Sequence, residues 1–299
     1  MENFIYTAKD GKSINVRLWD TPNAKGIVQI SHGMAESPSR YNDFAEFLNA
    51  NGYAVFADDH RAHGLTDDRS GHAEGDVYSL TLSDMAGINA LIREKYPDKK
   101  IVFFGHSYGS FLAQGFLEEH GQLADGFIIG GSAYMAGIEV VGGKIISGLN
   151  CLLKKGAKPA KLLAKMSFGK YNKKYDDGTT FISSIKEECE KYDNDKDCGF
   201  VLSNNFYKSM FAAFGRLYKK ENYSKIDLNK KLLLISGEAD PVGSYSVTTK
   251  KLFDFYKNTV GVKDVELKLY SGVRHEYLND VSREQARADI LSFCNEICD

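Results

Sequence analysis

Short runs of nearly continuous apolar character limit most sharply what this chain can become. Residues 26–31, 54–57, 101–104 and 126–129 are such runs. A strand with one wet face alternates apolar and polar side chains, so unbroken runs call for a sheet covered on both faces, as parallel strands joined by helices are. The stretches between agree: residues 41–50 and 80–96 carry apolar residues at helical spacing. Residues 4–8 and 14–19 flank Asp10-Gly11 and read as an opening hairpin. Near the other end, 231–236, 244–256, 265–270 and 282–296 repeat the order strand, helix, strand, helix. The expected fold class is therefore α/β, with eight strands in a mostly parallel sheet flanked by helices.

Between Ser132 and Lys231 lie about a hundred residues where a crossover needs only a few tens. Residues 133–225 are expected to form an insertion, with 1–132 and 226–299 as the two parts of the core. From 140 to 175 the insertion has nine lysines and no acidic residue. Ile145, Ile146, Leu149, Leu152 and Leu153 fall on one side of a helical wheel, with Lys144, Lys154 and Lys155 on the other. From Asp176 to Asp197 the balance turns acidic, and Phe206, Phe211, Phe214 and Tyr218 follow. Two expectations stand side by side. In one, the lysine-bearing helix makes peripheral contact with an anionic lipid surface or a phosphate headgroup, while the aromatic residues line an acyl pocket. In the other, the lysines are solvated and pair with the acidic segment.

Composition removes whole classes of function. With 38 basic and 40 acidic side chains in 299 residues, the formal charge of −2 gives no general attraction for a polyanion, and nucleic acid is not an expected partner. Five cysteines do not suggest a disulfide framework and fit a reducing compartment. Residues 1–13 lack the apolar stretch of a secretory signal, and no run approaches the eighteen or so apolar residues that span a bilayer. The expectation is a soluble cytoplasmic protein of unspecified oligomeric state.

The chemistry starts at Gly105-His106-Ser107-Tyr108-Gly109, between the run 101–104 and the helical stretch 111–119. Strand, sharp turn, helix is the setting of a nucleophile elbow, whose strained turn and close helix leave no room for side chains at the flanking glycines. Such a pentapeptide would arise in roughly one shuffled chain in five, so the order of its partners decides. In this arrangement serine comes first, then an acid, then histidine. Of seven histidines only His275 lies past the middle of the chain, just beyond the strand 265–270, and it is the expected general base. The acid should leave the preceding strand, where Glu238 and Asp240 stand; Asp240 is the expected partner. Backbone N–H groups of Tyr108, after the nucleophile, and Met34, in His32-Gly33-Met34, are the expected oxyanion donors.

Taken with these residues, the runs HGMAESPSRY (32–41), DHRAHGLT (59–66), GHSYG and GVRHEYLND resemble the α/β-hydrolase group of monoacylglycerol lipases, lysophospholipases and serine aminopeptidase-type hydrolases. The likeness covers nearly the whole chain. It departs at Ser37-Pro38-Ser39, where His-Ser-Gly is commoner, at Ala62 for glycine and at Thr66 for serine. The resemblance implies an α/β-hydrolase fold whose insertion is a helical lid. It also implies a loop after the fourth strand in which Arg61 and His63 hydrogen-bond backbone and brace the site, rather than His60 and His63 holding a metal with nearby aspartates. No cofactor is implied. The implied activity is serine hydrolysis of a carboxylic ester in a lipid, a monoacylglycerol or lysophospholipid, through a Ser107–His275–Asp240 triad. Alternatives are a short-chain or phenolic esterase, an aminopeptidase of the same fold, and a non-catalytic binding protein.

Overall fold

A computed structural model describes residues 1–175 and 177–299, without the side chains of Ser167, Phe168 and Lys170. Asp176 and the Lys170 side chain, both counted in the charge reading above, lie outside the described residues. The strands are β1 (Glu2–Thr7), β2 (Ser13–Trp19), β3 (Gly26–Ser31), β4 (Tyr53–Asp58), β5 (Ile101–His106), β6 (Gly126–Gly130), β7 (Lys231–Gly237) and β8 (Asp264–Tyr270). They form one sheet in the order β1-β2-β4-β3-β5-β6-β7-β8. Only β2 runs against its neighbours, pairing antiparallel with β1 and β4. The remaining pairs are parallel, with Ile30 opposite Phe104 and Phe104 opposite Ile128.

Double burial explains the unbroken apolar runs. Phe104, Ile128 and Leu233 pack on one side with α1 (Asn42–Ala50) and α10 (Arg283–Cys298). Phe103, Phe127 and Leu232 point to the other, onto α2 (Val77–Lys95) and α3 (Tyr108–His120). Helix α2 starts three residues before its first expected position because Asp76 caps it, accepting from Ser79 N–H. The helix expected from residue 244 starts later, as α9 (Val247–Asp254). Ser244, Tyr245 and Ser246 instead take left-handed backbone at φ 49°, 55° and 73°, a turn that returns Tyr245 N–H to the Asp240 carbonyl at 2.9 Å.

Between β6 and β7 the chain passes through α4 (Ile138–Leu152), α5 (Lys161–Asn172), α6 (Lys186–Asn194), α7 (Asn204–Phe214) and α8 (Lys220–Tyr223). Helix α7 packs on α2 and carries α4 on its outer side. Its aromatic rings are filling rather than lining. Phe206 sits 4.9 Å from the Tyr108 ring and Phe214 4.5 Å from that of Phe111, both within the core shared with α3. Among the described residues no helix is long and apolar enough to cross a membrane.

The sharpest local constraint lies where β5 turns into α3. Ser107 adopts φ 54° and ψ −120°, conformationally costly for a residue with a side chain. A Cβ on Gly109 would lie 2.0 Å from the Ser31 carbonyl oxygen, and one on Gly105 2.2 Å from the Gly109 carbonyl oxygen. Backbone rather than flexible side chain is in the way, so nothing can yield cheaply. Gly109→Ala should therefore cost about 2 kcal/mol or more in denaturant unfolding. Gly121→Ala, where the new methyl would meet Leu117 at an ordinary 3.6 Å, should stay within about 0.5 kcal/mol of the parent. Equal unfolding midpoints for the two variants would contradict this reading of the turn.

Candidate active site

The loop 273–280 brings His275 to the carboxyl end of β5, and the two ring nitrogens meet two different partners. Nδ1 lies 2.8 Å from Asp240 Oδ2 and Nε2 lies 2.8 Å from Ser107 Oγ. With Nδ1–H donating to the carboxylate, Nε2 is left as an acceptor for the serine hydroxyl. Asp240 is fully buried and its other oxygen accepts the Val242 N–H at 2.8 Å. Glu238, the other acid considered, is exposed at the turn. Burial works against a charged His275, but the nearby Asp240, followed by Glu276 and Glu36, outweighs it and leaves the imidazole above its ordinary 6.5.

Hydrogen bonds take up the N–H groups on either side of Met34 in the His32–Ala35 loop. Gly33 N–H donates to Glu36 Oε1, and Ala35 N–H donates to His63 Nε2 at 3.0 Å. Between them the N–H of Met34 has no acceptor among the described residues, and Met34 lines the cavity at Ser107. Tyr108 opens α3, so its N–H has no partner within the helix either. Both expected donor groups are thus unengaged beside the serine.

Histidines hold this loop from beneath. His32 stacks on His60 at 4.0 Å, donates from Nδ1 to the Gly33 carbonyl and accepts His60 N–H at Nε2. His63 accepts Ala35 N–H, so its proton is on Nδ1, facing the Arg61 carbonyl at 3.0 Å. Burial holds His63 neutral, down to about 3. His60 commits both ring nitrogens, to Asp58 and Ser31, and among the described residues no group of three metal-binding side chains is arranged around an ion. His106 is buried behind the site with its ring 4.8 Å from that of His275.

Arg61 corrects one expectation. Its guanidinium does not bond backbone but forks onto Asp84 (2.6 and 3.0 Å) and Asp10 (2.7 and 2.9 Å). Asp84 is buried and Asp10 exposed, and a planar, permanently charged fork can serve both carboxylates at once.

This constellation has relatives. The sequence model of one family, described as serine aminopeptidase, S33, matches residues 22–282. The chain belongs to that family. A monoacylglycerol lipase of Mycolicibacterium smegmatis is 24% identical over 288 residues, covering 95% of this chain and 93% of that protein. An uncharacterized abhydrolase domain-containing protein of Dictyostelium discoideum is 25% identical over 294 residues, 96% of this chain, although the chain spans only 28% of its length. A thermostable carboxyl esterase of Bacillus coagulans, solved with glycerol, superposes with a TM-score of 0.89 at 25% identity, covering 100% of this chain and 99% of that one. The sheet order, the parallel core and the helical layers are those of the α/β-hydrolase fold.

Four polar residues of this S33 chain have a place at the site that the sequence reading did not assign. Glu36 is buried, bonded to Gly33 N–H and to the Tyr41 hydroxyl at 2.8 Å. Arg40 and Glu276 form a buried ion pair, and Asn279 donates to the same Glu276 oxygen at 2.8 Å. All four stand inside the quoted motifs, so a signal existed; what was missing was any sign that they turn inward. Burial, then repulsion from Glu276, pushes the Glu36 carboxyl up to about 7. A carboxyl that titrates higher folded than unfolded supports the native state at low pH and loses that advantage between about 4.5 and 7. Glu36→Gln keeps an acceptor for Gly33 but does not titrate. Its stability relative to the parent should rise by on the order of 2 kcal/mol between pH 4.5 and pH 8 in denaturant unfolding. Parallel stability curves would rule the assignment out.

Proposed function

We propose that this carboxylic ester hydrolase cleaves lipid monoesters, a monoacylglycerol or a lysophospholipid, by acyl transfer to Ser107. The observation that carries the reading is the hydrogen-bonded row Ser107–His275–Asp240 beside two unengaged backbone donors, Met34 N–H and Tyr108 N–H. Ser107 Oγ attacks the ester carbonyl as His275 Nε2 takes its proton, while Asp240 keeps the imidazole in the required tautomer and stabilises its charged form. The two N–H groups receive the developing oxyanion, each worth about 3 kcal/mol of barrier. His275 then protonates the leaving alcohol, and water clears the acyl-enzyme by the same steps in reverse order.

The pocket at Ser107 is narrow, with room for little more than a water molecule, and its apolar walls are Met34, Phe181, Ile182 and Tyr192, side chains of the kind that line an acyl site. An aminopeptidase would need a carboxylate for the free amine of its substrate. Among the described residues the carboxylates that line this pocket are Glu36 and Glu276, and both are committed, to Gly33 and Tyr41 and to Arg40 and Asn279. Ester over aminoacyl amide is therefore the favoured substrate class. In this reading residues 133–225 act as the lid over the acyl group, and the protein needs no cofactor.

Ser107→Ala should retain the unfolding midpoint and lose on the order of 10⁵-fold or more in hydrolysis of a monoacylglycerol or lysophospholipid. Turnover within tenfold of the parent would end the assignment. The reaction needs neutral His275, so kcat/KM should fall on the acid side with an apparent pKa above 6.5. Asp240→Asn removes the charge that raises it. That variant should shift the acid limb to lower pH while reducing kcat on the order of 10³–10⁴-fold, as a pH–rate profile would read.

A further inference from the structure

Helix α4 has two faces of unlike fate. Val140, Gly143 and Ser147 are buried against α7, and the approach is so close that a Cβ on Gly143 would lie 2.3 Å from the Phe211 ring. Asn150 fixes the same side by donating to Asn204 on α7 at 2.8 Å. Opposite that side, Ile138, Val141, Ile145, Leu149 and Leu152 are all more than half exposed, Ile138 at 86% and Leu152 at 80%. At helical spacing these five fall within about 80° of arc, a continuous apolar stripe along the full length of the helix. The α5 helix repeats the pattern with exposed Leu162 and Met166.

On α4, the loop that leaves it and the start of α5 stand Lys144, Lys154, Lys155, Lys158, Lys161 and Lys165, all exposed. Among the described residues none of them forms an ion pair, and four of the acidic residues beyond 176 pair with other cations instead. Asp177 pairs with Arg274, Glu188 with Lys191 and Arg283, Glu190 with Lys186, and Asp197 with Arg69. An apolar stripe with uncompensated ammonium groups at its edge matches one kind of surface: acyl chains beneath anionic headgroups, with the lysine stems reaching back to the phosphates. A second copy of the chain fits poorly, because a two-fold contact would set this lysine cluster against itself.

We infer that α4, with the adjoining lysines, docks the protein on an anionic lipid surface. Docking does not depend on turnover, so its failure and that of the ester-hydrolase reading are separable. The experiment is sedimentation of the full chain with vesicles of phosphatidylcholine, alone or with about a third phosphatidylglycerol, at about 0.1 M and 0.5 M salt. Binding should be at least about tenfold stronger to the anionic vesicles and should weaken at high salt. Leu149→Asp should abolish it, yet keep the parent rate on a short-chain ester in solution, which shows that the fold survives. Lys144→Gln, Lys154→Gln and Lys155→Gln should each lower partitioning by up to about fivefold. Equal binding to both vesicle types, or binding unchanged by Leu149→Asp, would overturn the inference. So would a dimer of the parent that Leu149→Asp dissociates in the absence of lipid.

Discussion

Helix α3 passes the end of β3 with no atom to spare, and the candidate site is built outward from that contact. Because Ser31 and Gly109 backbones touch, the chain must leave β5 through a left-handed residue, and Ser107 is that residue. The same geometry turns its hydroxyl away from the helix and leaves the first N–H of α3 unbonded next to it. Strain at one position therefore sets both the Ser107 hydroxyl and one of the N–H groups near it, and the packed sheet and helix on either side maintain it.

The second donor arises by a different device, the exhaustion of its neighbours. Glu36 occupies Gly33 N–H and His63 occupies Ala35 N–H, and the Met34 N–H between them has no acceptor among the described residues. That outcome requires His63 to accept, hence to remain neutral with its proton on Nδ1, and full burial among His32, Phe200 and Phe206 enforces it. It also requires a buried carboxyl at Glu36, whose cost Glu276 increases and the Tyr41 hydroxyl, the Gly33 N–H and Arg40 moderate. The site is thus charged and desolvated on one side and apolar on the other, the division an ester with a polar head and an acyl tail presents.

What the sequence displayed depended on the range of the interaction. Strands buried on both faces show as continuous apolar runs, and β3 to β7 lie within about two residues of where those runs stand. The ordering Ser107, Asp240, His275 was likewise visible, because six of the seven histidines precede the middle of the chain. Partners fixed by long-range packing left no such trace. Nothing near Arg61 announces Asp10, fifty-one positions away, as its acceptor. The three left-handed residues before α9 read as ordinary helix because a wheel registers side chains and not φ. For the rings of α7, composition alone could not separate filling from lining. Phe206 and Phe214 face α3, and the wall of the Ser107 cavity is made by Phe181 and Ile182 instead.

Those two residues join the insertion to the proposed chemistry. His275 N–H donates to the Phe181 carbonyl at 3.1 Å and Glu276 N–H to that of Ile182 at 2.8 Å, so the segment after α5 is stitched to the loop that carries the imidazole. Arg274 tightens the seam by donating to the carbonyls of Thr180 and Ser183 while its guanidinium lies 3.9 Å over the Tyr175 ring. Asp280 closes it from below, accepting Arg274 N–H at 2.9 Å and Ser184 N–H at 3.1 Å. A displacement of Phe181 large enough to admit a long acyl chain must therefore either carry the His275 loop with it or exchange these hydrogen bonds for water. Both ways tie the width of the acyl cavity to the position of the imidazole, so substrate length in this chain should be registered at His275 rather than at the cavity wall alone.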